Sequence, residues 1–180
     1  MGNIVRRDYY FDEPGSKNTP LVIKAVSERV EESGIKTIVV ASTSGKTALA
    51  FAKALKGKAK VIGVSYQSID SATRQKLSEL GAIIEENCPI LFSKKRTLRE
   101  TLYLFGQGLK VACEAAVIAV EREKLKPYQD IIAVGGTDRG ADTAIIVRAT
   151  KLKEILWADV NRRLEIREII AMPRKKKWWT

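Results

Sequence analysis

The chain has 180 residues, of which 45% are hydrophobic and 29% charged, and its net charge is +11. This length and balance are typical of one soluble globular domain with a sizeable core. The complete lack of histidine excludes Ser-His-Asp and Cys-His catalysis and any histidine-ligated metal. No apolar run approaches the roughly 20 residues of a membrane span, and residues 1–11 lack the apolar region expected of a signal peptide. We therefore expect a cytoplasmic protein with an anionic partner and no metal.

The chain contains no linker and no internal repeat, so we expect a single α/β domain over residues 1–180. Residues 1–18 form an N-terminal arm, whose aromatic run at 8–12 indicates a short edge strand or a segment packed on the domain. Thr19 and Pro20 predict the N-cap and first residue of a helix that runs to about Ser33 and is closed by Gly34. The basic tail at 173–180 is predicted to be flexible.

Apolar, β-branched runs alternate with helical segments through the middle of the chain. Predicted strands one to five lie at 37–41, 60–65, 82–85, 130–134 and 143–149. Predicted helices lie at 46–56, 71–80 and 97–124, the last one bent or broken near Gly106 and Gly108, with helix or loop at 152–162 and a last strand at 164–172. The alternation is typical of βαβ units, and the short connection between strands four and five makes that pair antiparallel. The sequence therefore predicts a three-layer α/β/α fold with a mostly parallel sheet in the order 3-2-1-4-5.

Strand one runs into a small polar turn that opens a helix. The turn consists of Ser42, Thr43, Ser44, Gly45, Lys46 and Thr47. A helix N-terminus offers unpaired N–H groups and a partial positive charge, so the turn is a candidate phosphate seat. Its ending matches half of a Walker A motif, but Val40 stands where the first glycine belongs, which argues against an NTPase. An ordinary hydroxyl-capped turn is the structural alternative.

A second polar loop follows strand four. Its candidate ligand residues are Gly135, Gly136, Thr137, Arg139, Gly140 and Thr143. The glycines permit close backbone approach, whereas Asp138 and Asp142 fit an ordinary hairpin turn equally well. Strands one and four are neighbours in the predicted order, so both loops are expected at the topological switch point, where open α/β sheets bind ligands.

Residues 39–66 and 130–148 resemble the beginning and the closing hairpin of the C-terminal α/β domain of pyruvate kinase. The chain is more similar still to a mostly archaeal, functionally uncharacterised family that has this domain without the kinase barrel. The stretches that carry this resemblance are 14–19, 39–45, 105–111 with Glu114, 135–137, 140–144 and 167–171.

The resemblance implies a phosphorylated ligand, since the two loops hold the phosphates of a sugar bisphosphate in regulated pyruvate kinases. Flavin mononucleotide (FMN) is the candidate cofactor, a homo-oligomer is expected, and pyruvate kinase activity is not. The chain departs from the family at Glu85 to Lys95, where relatives carry a longer loop with a histidine. This departure implies an altered ligand wall.

Further candidate ligand residues lie outside the two loops. Tyr66, just past strand two, is expected to flank the part of the ligand that carries no phosphate, and Gln107 and Lys110 to complete the site. Glu114 is expected on an exposed face, because unpaired charges are rarely buried; the alternatives are a partner for Lys110 and an acceptor facing the ligand. Cys88 and Cys113 lack a histidine to activate them and are expected to be inert.

A binding or regulatory module is thus the leading class of function. An enzyme acting on a flavin or sugar phosphate is the second. A nucleic-acid-binding protein is the third, because the tail at 174–180 combines basic residues with Trp178 and Trp179. We expect the tryptophans to dock on the domain or on a partner chain instead, since no nucleic-acid-binding motif accompanies them.

Overall fold

Seven strands form one sheet in the computed structural model, which describes residues 2–178. The strands are β1 (Tyr9–Phe11), β2 (Thr37–Ala41), β3 (Lys60–Val64), β4 (Ile83–Glu85), β5 (Asp130–Gly135), β6 (Thr143–Arg148) and β7 (Glu165–Pro173). The helices are α1 (Thr19–Ser33), α2 (Lys46–Ala54), α3 (Ser71–Glu79), α4 (Arg96–Tyr103) and α5 (Gln107–Glu121), with single 3-10 turns at Ser16–Asn18 and Leu152–Glu154.

The strand order is β4-β3-β2-β5-β6-β7-β1. The first five of these strands follow the predicted order 3-2-1-4-5, and β6 is antiparallel to β5 as expected. The sheet has two strands more than the predicted order, because β7 pairs antiparallel with β6 and β1 pairs parallel with β7. The other three pairings, β2 with β3, β2 with β5 and β3 with β4, are parallel.

Side chains alternate between the two faces of the sheet, and each face is covered by its own helices. Ile38 and Val40 point to the face that packs against α1, α2 and α3, whereas Val39 points to the face that packs against α4 and α5. Because strands buried on both faces are apolar throughout, β2 and β5 read as continuous hydrophobic runs. The α/β/α prediction is therefore confirmed.

One local prediction needs correction, and the structure resolves two others. Thr19 is the first residue of α1, and the N-cap position belongs to Asn18. The predicted break near Gly106 is confirmed: α4 and α5 are separate helices, and Gly106 between them has a φ of 93°. The ambiguous stretch 152–162 contains one 3-10 turn followed by irregular turns.

The N-terminal arm is fixed to the domain by a buried arginine on α1. The Arg29 side chain is 1% exposed, pairs with Glu168 on β7, and donates to the Asp8 carboxylate at 2.9 Å and to the Arg7 carbonyl at 3.2 Å. A buried guanidinium is tolerated only when its donors are paired. Arg29 therefore joins α1, the arm and the edge of the sheet.

We predict that Arg29→Met destabilises the protein by about 3 kcal/mol, because it removes the buried cation that pairs with Asp8, Glu32 and Glu168. Chemical denaturation followed by circular dichroism measures the change. Lys58→Met removes an exposed ion pair with Glu31 and should change stability by less than about 0.5 kcal/mol. Equal losses in the two variants would contradict this role for Arg29.

Candidate functional site

A cavity of about 870 Å³ opens at the carboxyl ends of β2 and β5, which are adjacent in the sheet. Both polar loops line it, so the topology brings together segments that are far apart in sequence. The predicted site residues that line the cavity are Ser42, Thr43, Ser44, Lys46, Thr47, Tyr66, Gln107, Lys110, Gly136, Thr137, Arg139 and Gly140. Three predicted residues do not line it: Gly45, Gly135 and Thr143.

These three residues have structural roles instead. Gly45 precedes α2 with a φ of 75°, a conformation that glycine adopts without strain. At Gly135 a Cβ would lie 2.1 Å from the Gly108 carbonyl oxygen, so glycine allows α5 to pack closely against β5. The Thr143 hydroxyl is buried and donates to Asp142 Oδ1 at 2.9 Å, away from the cavity.

The first loop, residues 42–47, presents a helix N-terminus to the cavity. Ser42 is buried, and its Oγ accepts from the Ala48 N–H at 3.1 Å. This bond satisfies one of the unpaired N–H groups in the first turn of α2. Within residues 2–178 the N–H groups of Ser44, Lys46 and Thr47 donate no hydrogen bond. These donors and the positive end of the helix dipole are the elements of an anion seat.

Ser65, at the end of β3, supports this first loop and was missed by sequence reasoning. Its Oγ lies 2.8 Å from the Thr43 carbonyl oxygen and accepts from the Gln67 N–H at 3.1 Å. The side chain is 1% exposed. A serine directly after a buried strand and before Tyr66 was the signal available in the sequence.

The second loop, residues 136–142, is held from behind by Asp142. This carboxylate is fully buried and accepts from the Gly15 N–H at 2.9 Å and from the Thr137 N–H at 3.1 Å. Thr19 adds two bonds to Ala141: its Oγ1 accepts from the N–H at 2.8 Å and donates to the carbonyl at 3.2 Å. The arm and the start of α1 therefore position this loop. The sequence left the role of Asp142 open between a turn residue and a site residue, and the structure shows it supporting the loop.

Positive charge dominates the rim of the cavity. Lys46 and Arg139 are exposed, line the cavity and make no ion pair within residues 2–178. Asp70, the N-cap of α3, accepts from the Thr73 N–H at 2.8 Å. Hydrogen bonding with the Thr73 side chain and then with this N–H lowers the pKa of the Asp70 carboxyl, with a smaller contribution from Lys46. Unpaired cations beside free N–H donors suit an anionic ligand.

The cavity floor is formed by α5, and here one prediction is wrong. Glu114 is 6% exposed, not on an exposed face. Its Oε2 accepts from Lys110 Nζ at 2.7 Å, and its Oε1 accepts from the Phe92 N–H at 2.6 Å. A cation one helical turn earlier and a backbone donor thus make burial of this charge possible.

Residues 88–90, within the segment predicted to form an altered ligand wall, form one wall of the cavity. Cys88, Pro89 and Ile90 line it. The wall is tied to β3 at one end, where the Cys88 N–H donates to the Ser65 carbonyl at 2.9 Å, and to α5 at the other end through Phe92. Ile90 and Tyr66 are each 52% exposed, so an apolar, aromatic rim stands beside the charged loops.

The described part of the basic tail contacts the N-terminus of α5. The Gln107 N–H donates to the Lys177 carbonyl at 3.0 Å. Burial lowers the pKa of Lys176, whereas the nearby Asp142 raises it. Trp178 is 49% exposed, and Trp179 and Thr180 lie outside the described residues, so the predicted flexibility and docking of the tail stay predictions.

Residues 2–178 contain no helix with the length and apolar character needed to cross a membrane. In the same range no three carboxylate or cysteine side chains are grouped so that they could hold a metal ion.

Neither cysteine is poised for nucleophilic chemistry. Burial raises the pKa of Cys113 to about 12 and also raises the pKa of Cys88. At pH 8 a thiol with that pKa is ionised to about one part in ten thousand.

We predict that Cys113 does not react with Ellman's reagent at pH 8 in the native protein and reacts fully in denaturant. The Cys88→Ser variant isolates Cys113 for the measurement, and Cys113→Ala isolates Cys88. Rapid native labelling of Cys113 would contradict its burial.

Residues 21–147 match the family model described as "Pyruvate kinase, alpha/beta domain". The match covers β2 to β5 and almost all of β6, together with both loops and the whole of α5. It excludes β1 and β7, the two strands that extend the predicted order.

Proposed function

Because this chain belongs to the pyruvate kinase alpha/beta domain family, we propose that it binds a small phosphorylated ligand as a binding or regulatory module. The observation that carries the proposal is the cavity that the two loops share. Lys46 and Arg139 line it without an ion pair to any of residues 2–178, and so do first-loop N–H groups that donate no hydrogen bond there. Helix N-termini and unpaired cations are the usual recognition elements for phosphate.

The phosphate would sit on the first loop, with the second loop closing over it. Ser44, Lys46 and Thr47 supply N–H donors there, and the Lys46 ammonium supplies charge. Arg139 would approach from the opposite rim, with its guanidinium able to bind two phosphate oxygens at once. Glycine at 136 and 140 lets that loop pack closely on itself and on the start of α1. A Cβ at Gly136 would lie 2.3 Å from the Gly140 carbonyl oxygen, and one at Gly140 would lie 2.4 Å from Thr19 Oγ1.

The rest of the cavity accepts an organic group. Its volume of about 870 Å³ lies within the range of ligand sites, roughly 300 to 1,000 Å³. FMN fits this arrangement: the phosphate would lie on the first loop and the ring against Tyr66 and Ile90. A bound flavin would supply redox chemistry. A sugar or nucleotide phosphate is the other candidate.

A specific observation also favours a second candidate function, an enzyme that acts on such a ligand. Lys110 and Glu114 line the cavity, and in a chain that lacks histidine they offer an ammonium and a carboxylate as a candidate acid and base. Side chains of these types perform general acid–base catalysis when they reach the reacting atoms. Turnover of the ligand identified below would distinguish an enzyme from a binding module.

We predict that native mass spectrometry of the purified protein, followed by a thermal-shift screen of FMN and sugar phosphates, identifies at least one stabilising phosphorylated ligand. Ligand binding to the native state raises the melting temperature by mass action. Flavin absorbance in the purified protein would select FMN. The proposal is wrong if no phosphorylated compound binds.

We further predict that Lys46→Ala and Arg139→Ala each weaken binding of that ligand at least about tenfold, since a charge-assisted hydrogen bond contributes roughly 1.5–3 kcal/mol. Isothermal titration calorimetry measures the change. Lys53→Ala is the matched control, because Lys53 is an exposed residue of the same helix outside the cavity. Unchanged affinity in Lys46→Ala would overturn the phosphate seat.

A further inference from the structure

One face of α5 presents three polar side chains to the floor of the cavity. Gln107, Lys110 and Glu114 are spaced three and four residues apart and so lie in one row along the helix. Gln107 Oε1 is buried and has no hydrogen-bond partner within residues 2–178. A buried acceptor without a partner is costly unless a water or a ligand reaches it.

The Lys110–Glu114 pair also keeps unused hydrogen-bonding capacity at the cavity surface. The two side chains are 7% and 8% exposed, and the distance between Nζ and Oε2 is 2.7 Å. An ammonium has three N–H donors and a carboxylate about four acceptor sites. Lys110 uses one of its donors, in the bond to Glu114. Glu114 uses two of its acceptor sites, for Lys110 and for the Phe92 N–H.

We propose that Lys110 and Glu114 together bind hydroxyl groups of the uncharged part of the ligand, which makes the ligand a phosphorylated sugar, polyol or polyol-bearing nucleotide. This inference rests on the proposed phosphate site. A hydroxyl accepts from an ammonium and donates to a carboxylate at the same time, so it fits an adjacent donor and acceptor. The free Gln107 oxygen provides a further acceptor one turn nearer the start of α5. An alkyl chain would satisfy neither the remaining donors and acceptors of this pair nor the Gln107 oxygen.

Glu114 has a second, structural role that the test must leave intact. Its Oε1 accepts from the Phe92 N–H, and Phe92 is fully buried behind the wall formed by residues 88–90. Glu114→Gln keeps an acceptor for this N–H, whereas alanine would not. Removing Lys110 alone would leave a buried carboxylate unpaired, so both charges are removed together.

The experiment compares two ligands of equal chain length, sorbitol 6-phosphate and hexyl phosphate, by calorimetry. The wild-type protein is compared with the double variant Lys110→Met/Glu114→Gln. We expect the ratio of the two dissociation constants to move at least about tenfold in favour of hexyl phosphate, as expected for lost bonds to charged groups. A merely structural role would weaken both ligands equally and leave the ratio unchanged.

Lys24→Met/Glu28→Gln is the matched control, because these residues form an exposed pair with the same spacing on α1. It should leave both affinities unchanged. If both phosphates bind the wild type and the double variant keeps the ratio within about threefold, the hydroxyl site is wrong and the phosphate site stands. If neither phosphate binds the wild type, the phosphate site itself is wrong and the inference falls with it.

Discussion

The buried carboxylate of Asp142 holds the candidate site together. It accepts hydrogen bonds from the arm at Gly15, from the second loop at Thr137 and from the hydroxyl of Thr143. Because the side chain is fully buried, these bonds replace its lost hydration, and bonds to a charged acceptor are the stronger kind. The position of the second loop therefore depends on a segment 127 residues away in sequence.

The same dependence explains why the arm belongs to the domain. Arg29 fixes residues 7 and 8, β1 pairs with β7 over the next few residues, and Gly15 then reaches Asp142. Each contact limits the conformational freedom of the arm residues that follow it, so forming the next contact costs less conformational entropy. Ion pairs at the edge of the sheet thus contribute to the geometry of a cavity that opens at its centre.

The sequence predicts the features that local chemistry determines, and misses those that depend on partners distant in the chain. The apolar run of β2, the glycine after α1 and the short connection between β5 and β6 each carry a local signal, and the structure confirms them. Glu114 was placed on the wrong face, because Lys110 is its only local partner and the second one, the Phe92 N–H, lies 22 residues earlier in the chain. Thr143 and Gly135 were assigned to the ligand on residue type and on the position of their loop after a strand, although their environments are set by Asp142 and α5.

The length of the first loop limits what it can hold. A Walker A loop wraps several phosphates because its backbone N–H groups line an extended concave turn. Here Val40 is fully buried in β2, α2 begins at Lys46, and only residues 42–45 connect them. So short a connection leaves only a few N–H donors, all of them close to the start of the helix. Under the proposed function, the first loop would therefore hold a single phosphoryl group, and a second one would need the donors of the loop that Asp142 supports.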